Sequence, residues 1–183
     1  MKKRLQKYRP FFAFLIKFLL VYLVLVIGYK WYLNQYDKTV FEVDQVTWSV
    51  SKISSQTLQF LGYSADVQNH PTEQSMVLFI FNKPIVRIIE GCNSISVVVL
   101  FVSFLVGFSG PIQSTIWYAF FGALVIFILN IVRIVVISIA LYHAPKYEHF
   151  LHEVAFPLII YGITFLLWII WINQFSYHAK DSK

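Results

Sequence analysis

The chain has 183 residues, of which 58% are hydrophobic and only 13% are charged. This composition excludes a water-soluble globular domain and indicates a membrane protein in contact with lipid. The net charge of +6 does not indicate nucleic-acid binding, because five of the 15 basic residues lie within the first nine positions, directly before an apolar segment.

The first predicted element is a membrane-spanning helix over residues 11–29. This segment is apolar apart from Lys17, whose aliphatic stem allows its ammonium group to reach the nearby interface. The basic residues before it, and Lys180 and Lys183 near the other end of the sequence, predict that both termini are cytoplasmic. We therefore expect a multi-pass protein of the cytoplasmic (inner) membrane.

The polar segment that follows, approximately residues 34–91, is predicted to lie outside the cytoplasm. Asp44 as an N-cap, apolar residues at near-helical spacing and Gly62 as a stop predict an amphipathic helix over residues 44–61. That helix either lies on the membrane surface or belongs to a small subdomain. Residues 63–74 are predicted to be a loop. Ser75–Phe81 and Ile85–Ile89 flank Asn82-Lys83-Pro84 and predict a β-hairpin that leads to Cys92.

Three further membrane spans are predicted, over residues 94–108, 112–141 and 154–172. The breaker segment 107–111 separates the first two, and Pro157 falls in the first turn of the last, where a missing N–H does little harm. The predicted fold class is thus an all-α polytopic membrane protein with about four transmembrane helices, forming one membrane domain over residues 1–183. Its outer segment carries the amphipathic helix and the hairpin.

Three chemically active side chains are predicted to lie at the same depth. Arg133 comes 19 residues after Ser114, which is about 28 Å at the helical rise and close to the outer edge of the hydrocarbon core. Cys92 precedes the second span and His152 precedes the fourth at that edge. Since arginine is costly inside an apolar helix, a functional role is the default expectation. Asn130 lies one turn from Arg133 on the same helix face, where it can bond the guanidinium group or a substrate.

The three residue types suit acyl transfer through a thioester. Cys92 is the only cysteine, so it forms no intrachain disulfide, and a helix N-terminus favours its thiolate form. The thiolate can attack a carbonyl carbon, His152 can act as acid and base, and Arg133 can hold the developing oxyanion.

Structural roles for the same residues remain open. Cys92 can be a small packing residue, and Arg133 can pair with Glu90 or Glu153 to hold the helices together. A metal site is a further alternative, with ligands from His143, Glu148, His149, His152 and Glu153. The spacing of these residues matches no firm zinc pattern, so we expect neither a metal ion nor a cofactor.

Three motifs resemble the exosortase/archaeosortase family. They are Glu90-Gly-Cys92-Asn-Ser before an apolar run, Asn130-Ile-Val-Arg133 within a later one, and His152 at the start of the last. The likeness covers about residues 75–160. It implies a multi-pass Cys–Arg–His transpeptidase that acts on the outer face of the cytoplasmic membrane.

By this resemblance, Cys92 is the nucleophile, Arg133 stabilises the oxyanion and His152 is the acid/base, with His149 as its alternative. Asn130, Glu90 and Glu153 are supporting candidates. The implied substrates are exported proteins with a C-terminal sorting tail, which consists of a short motif, a transmembrane helix and a basic cluster. The new carboxyl end would pass to an acceptor nucleophile that the sequence does not identify.

Two other functions are compatible with the sequence. A non-catalytic partner in membrane assembly or export would not use Cys92. A membrane acyltransferase that depends on His152 would need neither the thiol nor Arg133.

Overall fold

The computed structural model describes residues 2–37, 39–147 and 150–176, and this part of the chain is mostly helical. The long helices are α1 (Lys2–Leu33), α2 (Gln45–Phe60), α3 (Ile95–Phe108), α4 (Ile112–His143) and α5 (Phe156–Gln174). Among the described residues, three helical segments are long and apolar enough to cross a membrane: Phe11–Leu33, Ile112–His143 and Pro157–Gln174. The protein is therefore a polytopic membrane protein. The remaining predicted span, residues 94–108, corresponds to α3, which is apolar but shorter, so the predicted count of four spans is not confirmed.

Helix α3 packs antiparallel against the middle of α1. At one end, the ring centroids of Phe14 and Phe108 are 4.4 Å apart. At the other end, Asn93 Nδ2 donates to Tyr29 Oη at 2.8 Å. Lys17 Nζ donates to Ser109 Oγ at 2.9 Å, so the one charged group within the predicted first span is bonded to the turn between α3 and α4.

The C-terminal end of α5 packs against that same turn. Trp171 is fully buried, and a Cβ added to Gly110 would lie 2.8 Å from its ring. Tyr118 of α4 also donates to the backbone oxygen of Leu167 at 2.7 Å. The bundle therefore has one end formed by the α3–α4 turn and the end of α5, which we call the turn end. The beginnings of α3 and α5 lie at the opposite end.

Helix α2 and three strands form a small unit at that opposite end, which we call the cap. The strands β1 (Ala65–Asn69), β2 (Ser75–Ile80) and β3 (Lys83–Ile89) make an antiparallel sheet in the order β1-β2-β3. The predicted helix is confirmed: Asp44 Oδ1 accepts the N–H groups of Val46 and Thr47, and Gly62 follows the helix with φ +90°.

The sheet departs from the predicted hairpin in two ways. Residues 65–69 form a third strand where a loop was predicted, because β1 pairs with β2 from Ala65↔Ile80 to Asn69↔Met76 and packs against α2. The hairpin turn lies at Phe81 and Asn82, both with positive φ, so Lys83 and Pro84 already belong to β3. Pro84 is tolerated because β3 is an edge strand.

The cap is fixed to α4 by a shared hydrophobic core. Val50 and Leu58 of α2 pack with the inward face of the sheet and with Ile134 and Val135 of α4. Helix α2 therefore packs as part of a subdomain, the second of its two predicted alternatives. The buried α4 residues of this core begin at Ile131, so Ile112 to Asn130 supplies about 28 Å of helix below them.

Candidate functional site

Cys92 ends a single 3₁₀ turn, Glu90–Cys92, that joins the last strand of the cap to the first turn of α3. The thiol is free and half-buried, and Cys92 packs against the hydrophobic core that the cap shares with α4. The folding of β3 therefore delivers this residue to the boundary between the cap and the helix bundle. Cys92 precedes α3 by three positions, as the predicted second span required.

Asn130 connects this turn to α4. Its Nδ2 donates to the backbone oxygen of Cys92 at 2.7 Å, and the residue is 1% exposed. Asn130 and Cys92, which were predicted to lie at similar depths in the membrane, are thus in direct contact, although 38 positions separate them in sequence. The contact places the backbone of Cys92 at a defined height on α4.

Arg133 lies one helical turn beyond Asn130, on the same face of α4 and toward the cap. Its Nε is buried and has no hydrogen-bond partner among the described residues. The ion pair found in the described part of the chain joins Arg87 to Glu73 on the cap surface, and Glu90 is exposed. The alternative in which Arg133 pairs with Glu90 is therefore not seen within the described residues, and the side chain of Glu153 lies outside them.

Asn93, which was not among the predicted site residues, holds the same turn from the opposite side. Its Nδ2 donates to Tyr29 Oη at 2.8 Å and to Thr47 Oγ1 at 3.1 Å, and its Oδ1 accepts the N–H of Ile95 at 3.0 Å. Asn93 is 1% exposed. An asparagine just before a long apolar run is a recognisable capping signal, but its contacts with α1 and α2 require the folded cap.

Ser94 places unusual backbone geometry next to the cysteine. Its φ is +67°, in the left-handed region that favours glycine, and its Oγ is buried without a partner among the described residues. Ser94 Oγ, Asn130 Oδ1 and Arg133 Nε are thus three buried polar atoms that lack partners in the described part of the chain.

The histidines are described only in part. His152 lies in a π-helical turn, Leu151–Ala155, that leads into α5 at the same end of the bundle as Cys92. The side chain of His152 and the whole of Glu148 and His149 lie outside the described residues, so the choice between the two histidines stays a prediction. His143 ends α4, with its Nε2 3.2 Å from Tyr63 Oη.

No group of three metal-ligating side chains occurs among the residues that the structure describes. The alternative metal site therefore has no support there. Most of its predicted ligands fall outside that part of the chain.

A groove of about 450 Å³ opens beside the turn that carries Cys92. Its walls come from the end of α1, from the loop before α2 and from the end of β3, and they mix charged, amide and apolar side chains. This groove was not predictable from the sequence, because its walls are distant in sequence. The lining residues are Lys30, Leu33, Asn34, Tyr36, Glu42, Val43, Asp44, Gln74, Ile89, Glu90 and Gly91.

Comparison with known families gives a match that covers most of the chain. The family model described as Transmembrane exosortase (Exosortase_EpsH) matches residues 7–170. The comparisons with curated proteins and with solved structures gave no significant match. The matched range includes the whole cap, Cys92, Asn130, Arg133 and His152. The chain therefore belongs to the transmembrane exosortase family.

Proposed function

We propose that the protein is a membrane-embedded cysteine transpeptidase that cleaves the C-terminal sorting tails of exported proteins. The observation that carries this proposal is the hydrogen bond from Asn130 to the Cys92 carbonyl. It brings the residue with the free thiol within one turn of Arg133 on α4, as a nucleophile and an oxyanion donor would require.

The proposed reaction has two steps. The Cys92 thiolate attacks the carbonyl carbon of the scissile peptide bond, Arg133 stabilises the oxyanion, and His152 protonates the departing amine. This breaks the C–N bond and leaves a thioester on Cys92. His152 then takes a proton from the acceptor nucleophile, which attacks the thioester carbon and releases the thiolate.

Two features of the fold support the handling of a tail-bearing substrate. Cys92 lies where the cap meets the bundle, so a peptide that leaves the membrane beside the helices passes the thiol. The adjacent groove has mixed polarity, which suits the polar segment of a peptide better than a lipid chain. We further propose that the cap faces outward from the cytoplasmic membrane and that both termini are cytoplasmic.

The test is a substitution set scored for processing of a tagged protein that ends in a transmembrane helix and a Lys/Arg cluster. We expect Cys92→Ala to abolish processing and Arg133→Lys to lower its rate by about 100- to 1,000-fold, because lysine cannot reproduce the planar guanidinium donors. His152→Ala and His149→Ala, made separately, identify the acid/base. Ser96→Ala, at an exposed position in the first turn of α3, is the matched control.

The same set separates the alternatives. Full processing by Cys92→Ala together with loss in His152→Ala would replace the transpeptidase by a histidine-dependent acyltransferase. Full processing by every variant would leave only a non-catalytic assembly or export role.

A further inference from the structure

The side-chain amide of Asn130 is used at one end only. Its Nδ2 is bonded to the Cys92 carbonyl, whereas its Oδ1 is buried and has no partner among the described residues. A buried acceptor without a partner costs free energy, and such atoms in folded proteins call for an explanation. Since Asn130 is 1% exposed and touches the candidate nucleophile, a substrate group is the explanation that fits its position.

Arg133 presents the complementary atom. Its Nε carries an N–H, is buried and has no partner among the described residues. Residues three apart on a helix have Cβ atoms about 5–6 Å apart. Asn130 and Arg133 therefore offer an acceptor and a donor side by side on the face of α4 that meets Cys92.

One residue of an extended peptide carries the matching pair. Its own N–H and C=O point to the same side of the strand, as they do when two residues exchange both hydrogen bonds in an antiparallel ladder. A residue docked in this way donates its N–H to Asn130 Oδ1 and directs its carbonyl oxygen at Arg133. Its carbonyl carbon then lies next to the turn that carries Cys92.

We propose that Asn130 is a substrate-positioning residue that accepts the backbone N–H of the residue whose carbonyl carbon Cys92 attacks. This rests on the proposed transpeptidase function and adds a specificity to it. The residue at the cleaved bond must have a backbone N–H, so proline and N-methylated residues are excluded there. No proton leaves this N–H during the reaction, so Asn130 acts by orientation alone.

The experiment uses the purified full-length protein in detergent and a synthetic sorting-tail peptide whose cleaved bond is first mapped by mass spectrometry. Two modified peptides carry an N-methyl group, one on the cleaved residue and the other on the residue before it, whose N–H points to the opposite side. We measure kcat/KM for each peptide with wild type, Asn130→Ala and Asn130→Asp. The aspartate keeps an acceptor oxygen but loses the donor to Cys92.

With wild type, N-methylation of the cleaved residue is expected to lower kcat/KM by about 10- to 100-fold, and N-methylation of the preceding residue by much less. With Asn130→Ala, both N-methyl groups are expected to lower kcat/KM by similar, small factors, because the amide oxygen of Asn130 that accepts the N–H is already gone. Asn130→Asp is expected to keep the discrimination between them.

Three results would overturn the inference. In the first, the wild-type protein cleaves the peptide that carries the N-methyl group on the cleaved residue nearly as fast as the unmodified peptide. This result does not depend on the folding of any variant. In the second, N-methylation of the cleaved residue lowers kcat/KM by the same factor in wild type and in Asn130→Ala, as expected if Asn130 Oδ1 pairs with Arg133 Nε instead. The third is loss of the discrimination in Asn130→Asp. Cleavage that persists in Cys92→Ala would instead refute the proposed function itself.

Discussion

Cys92 is held through its neighbours on both sides. Asn93 links the turn to Tyr29 of α1 and Thr47 of α2, and Asn130 links it to α4. None of these contacts uses the thiol of Cys92, so they leave its sulfur available for chemistry. The position of Cys92 therefore depends on the cap and the bundle being folded together.

Gly91 gives a direct test of the groove beside Cys92. A Cβ added there would meet only Ile89 Cδ1, at an ordinary 3.9 Å, and Gly91 lines the groove. Gly91→Leu is therefore expected to leave the fold intact while filling part of the groove, and to lower processing by about 10-fold or more. The measurements are the processing rate and the thermal unfolding midpoint.

Two matched variants separate blocking of the groove from disturbance of the neighbouring cysteine. Gly28→Leu adds the same side chain at an open position that does not line the groove, and should process normally. Asn34→Trp fills the groove from the turn that follows α1, far in sequence from Cys92, and should impair processing as Gly91→Leu does. Normal processing by Asn34→Trp would show that the substrate does not occupy the groove.

Some site contacts were predictable from the sequence and others were not. The rise of a helix places Arg133 and Asn130 near the start of α3, and the contact between Asn130 and Cys92 agrees with that count. Asn93 meets Thr47 and Tyr29 across 46 and 64 positions of sequence. Those contacts depend on how the cap docks, which no local periodicity encodes.

At the scale of elements, glycine sets how closely α3 and α4 approach. A Cβ added to Gly122 of α4 would overlap the ring of Phe101, which is fully buried. Gly122→Ala is therefore expected to lower the free energy of unfolding by about 1–3 kcal/mol through overpacking. Thermal unfolding of the purified protein in a fixed detergent measures this change.

Gly162→Ala is the control for Gly122→Ala, because a Cβ at Gly162 of α5 meets nothing within 4 Å. Both substitutions raise helix propensity by about the same amount, so the difference between them reports packing. Phe101→Leu should partly restore the stability of Gly122→Ala by removing the obstructing ring. A Gly122→Ala protein as stable as Gly162→Ala would contradict the close packing of α3 on α4.

The elements themselves differ in how well the sequence predicts them. Helix α2 carries its own start and stop in Asp44 and Gly62, and the structure uses both. Strand β1 was missed because its five residues, Ala65–Asn69, are short and mostly polar. It forms because β2 supplies hydrogen-bond partners and α2 covers Ala65, and these are tertiary causes.

At the scale of the whole molecule, the turn end and the cap are opposite poles. Gly110 touches Trp171 at the turn end, whereas the cap packs on the far part of α4. If α3 crosses the membrane, both termini share one side. The described helix has only 14 residues, or about 21 Å, so a full crossing requires local thinning of the bilayer or the help of residues at its ends.

Cysteine labelling in a Cys92→Ala background tests this arrangement. Thr72→Cys lies on the exposed surface of the cap, and Gln113→Cys and Gln174→Cys lie at the turn end. In intact spheroplasts, a membrane-impermeant maleimide is expected to label position 72 alone, because the orientation proposed from the basic N-terminal segment puts the turn end in the cytoplasm. After permeabilisation, all three positions should react.

The pattern of labelling separates two errors. Labelling of positions 113 and 174 but not 72 would mean that the whole protein is inverted, which would place Cys92 on the cytoplasmic side, away from exported substrates. Labelling of all three from outside would place the cap and the turn end on one side of the membrane, so that α4 could not cross between them. Because Gly110 contacts Trp171, positions 113 and 174 must react together in every case. A difference between those two positions would contradict the packing of α5 against the α3–α4 turn.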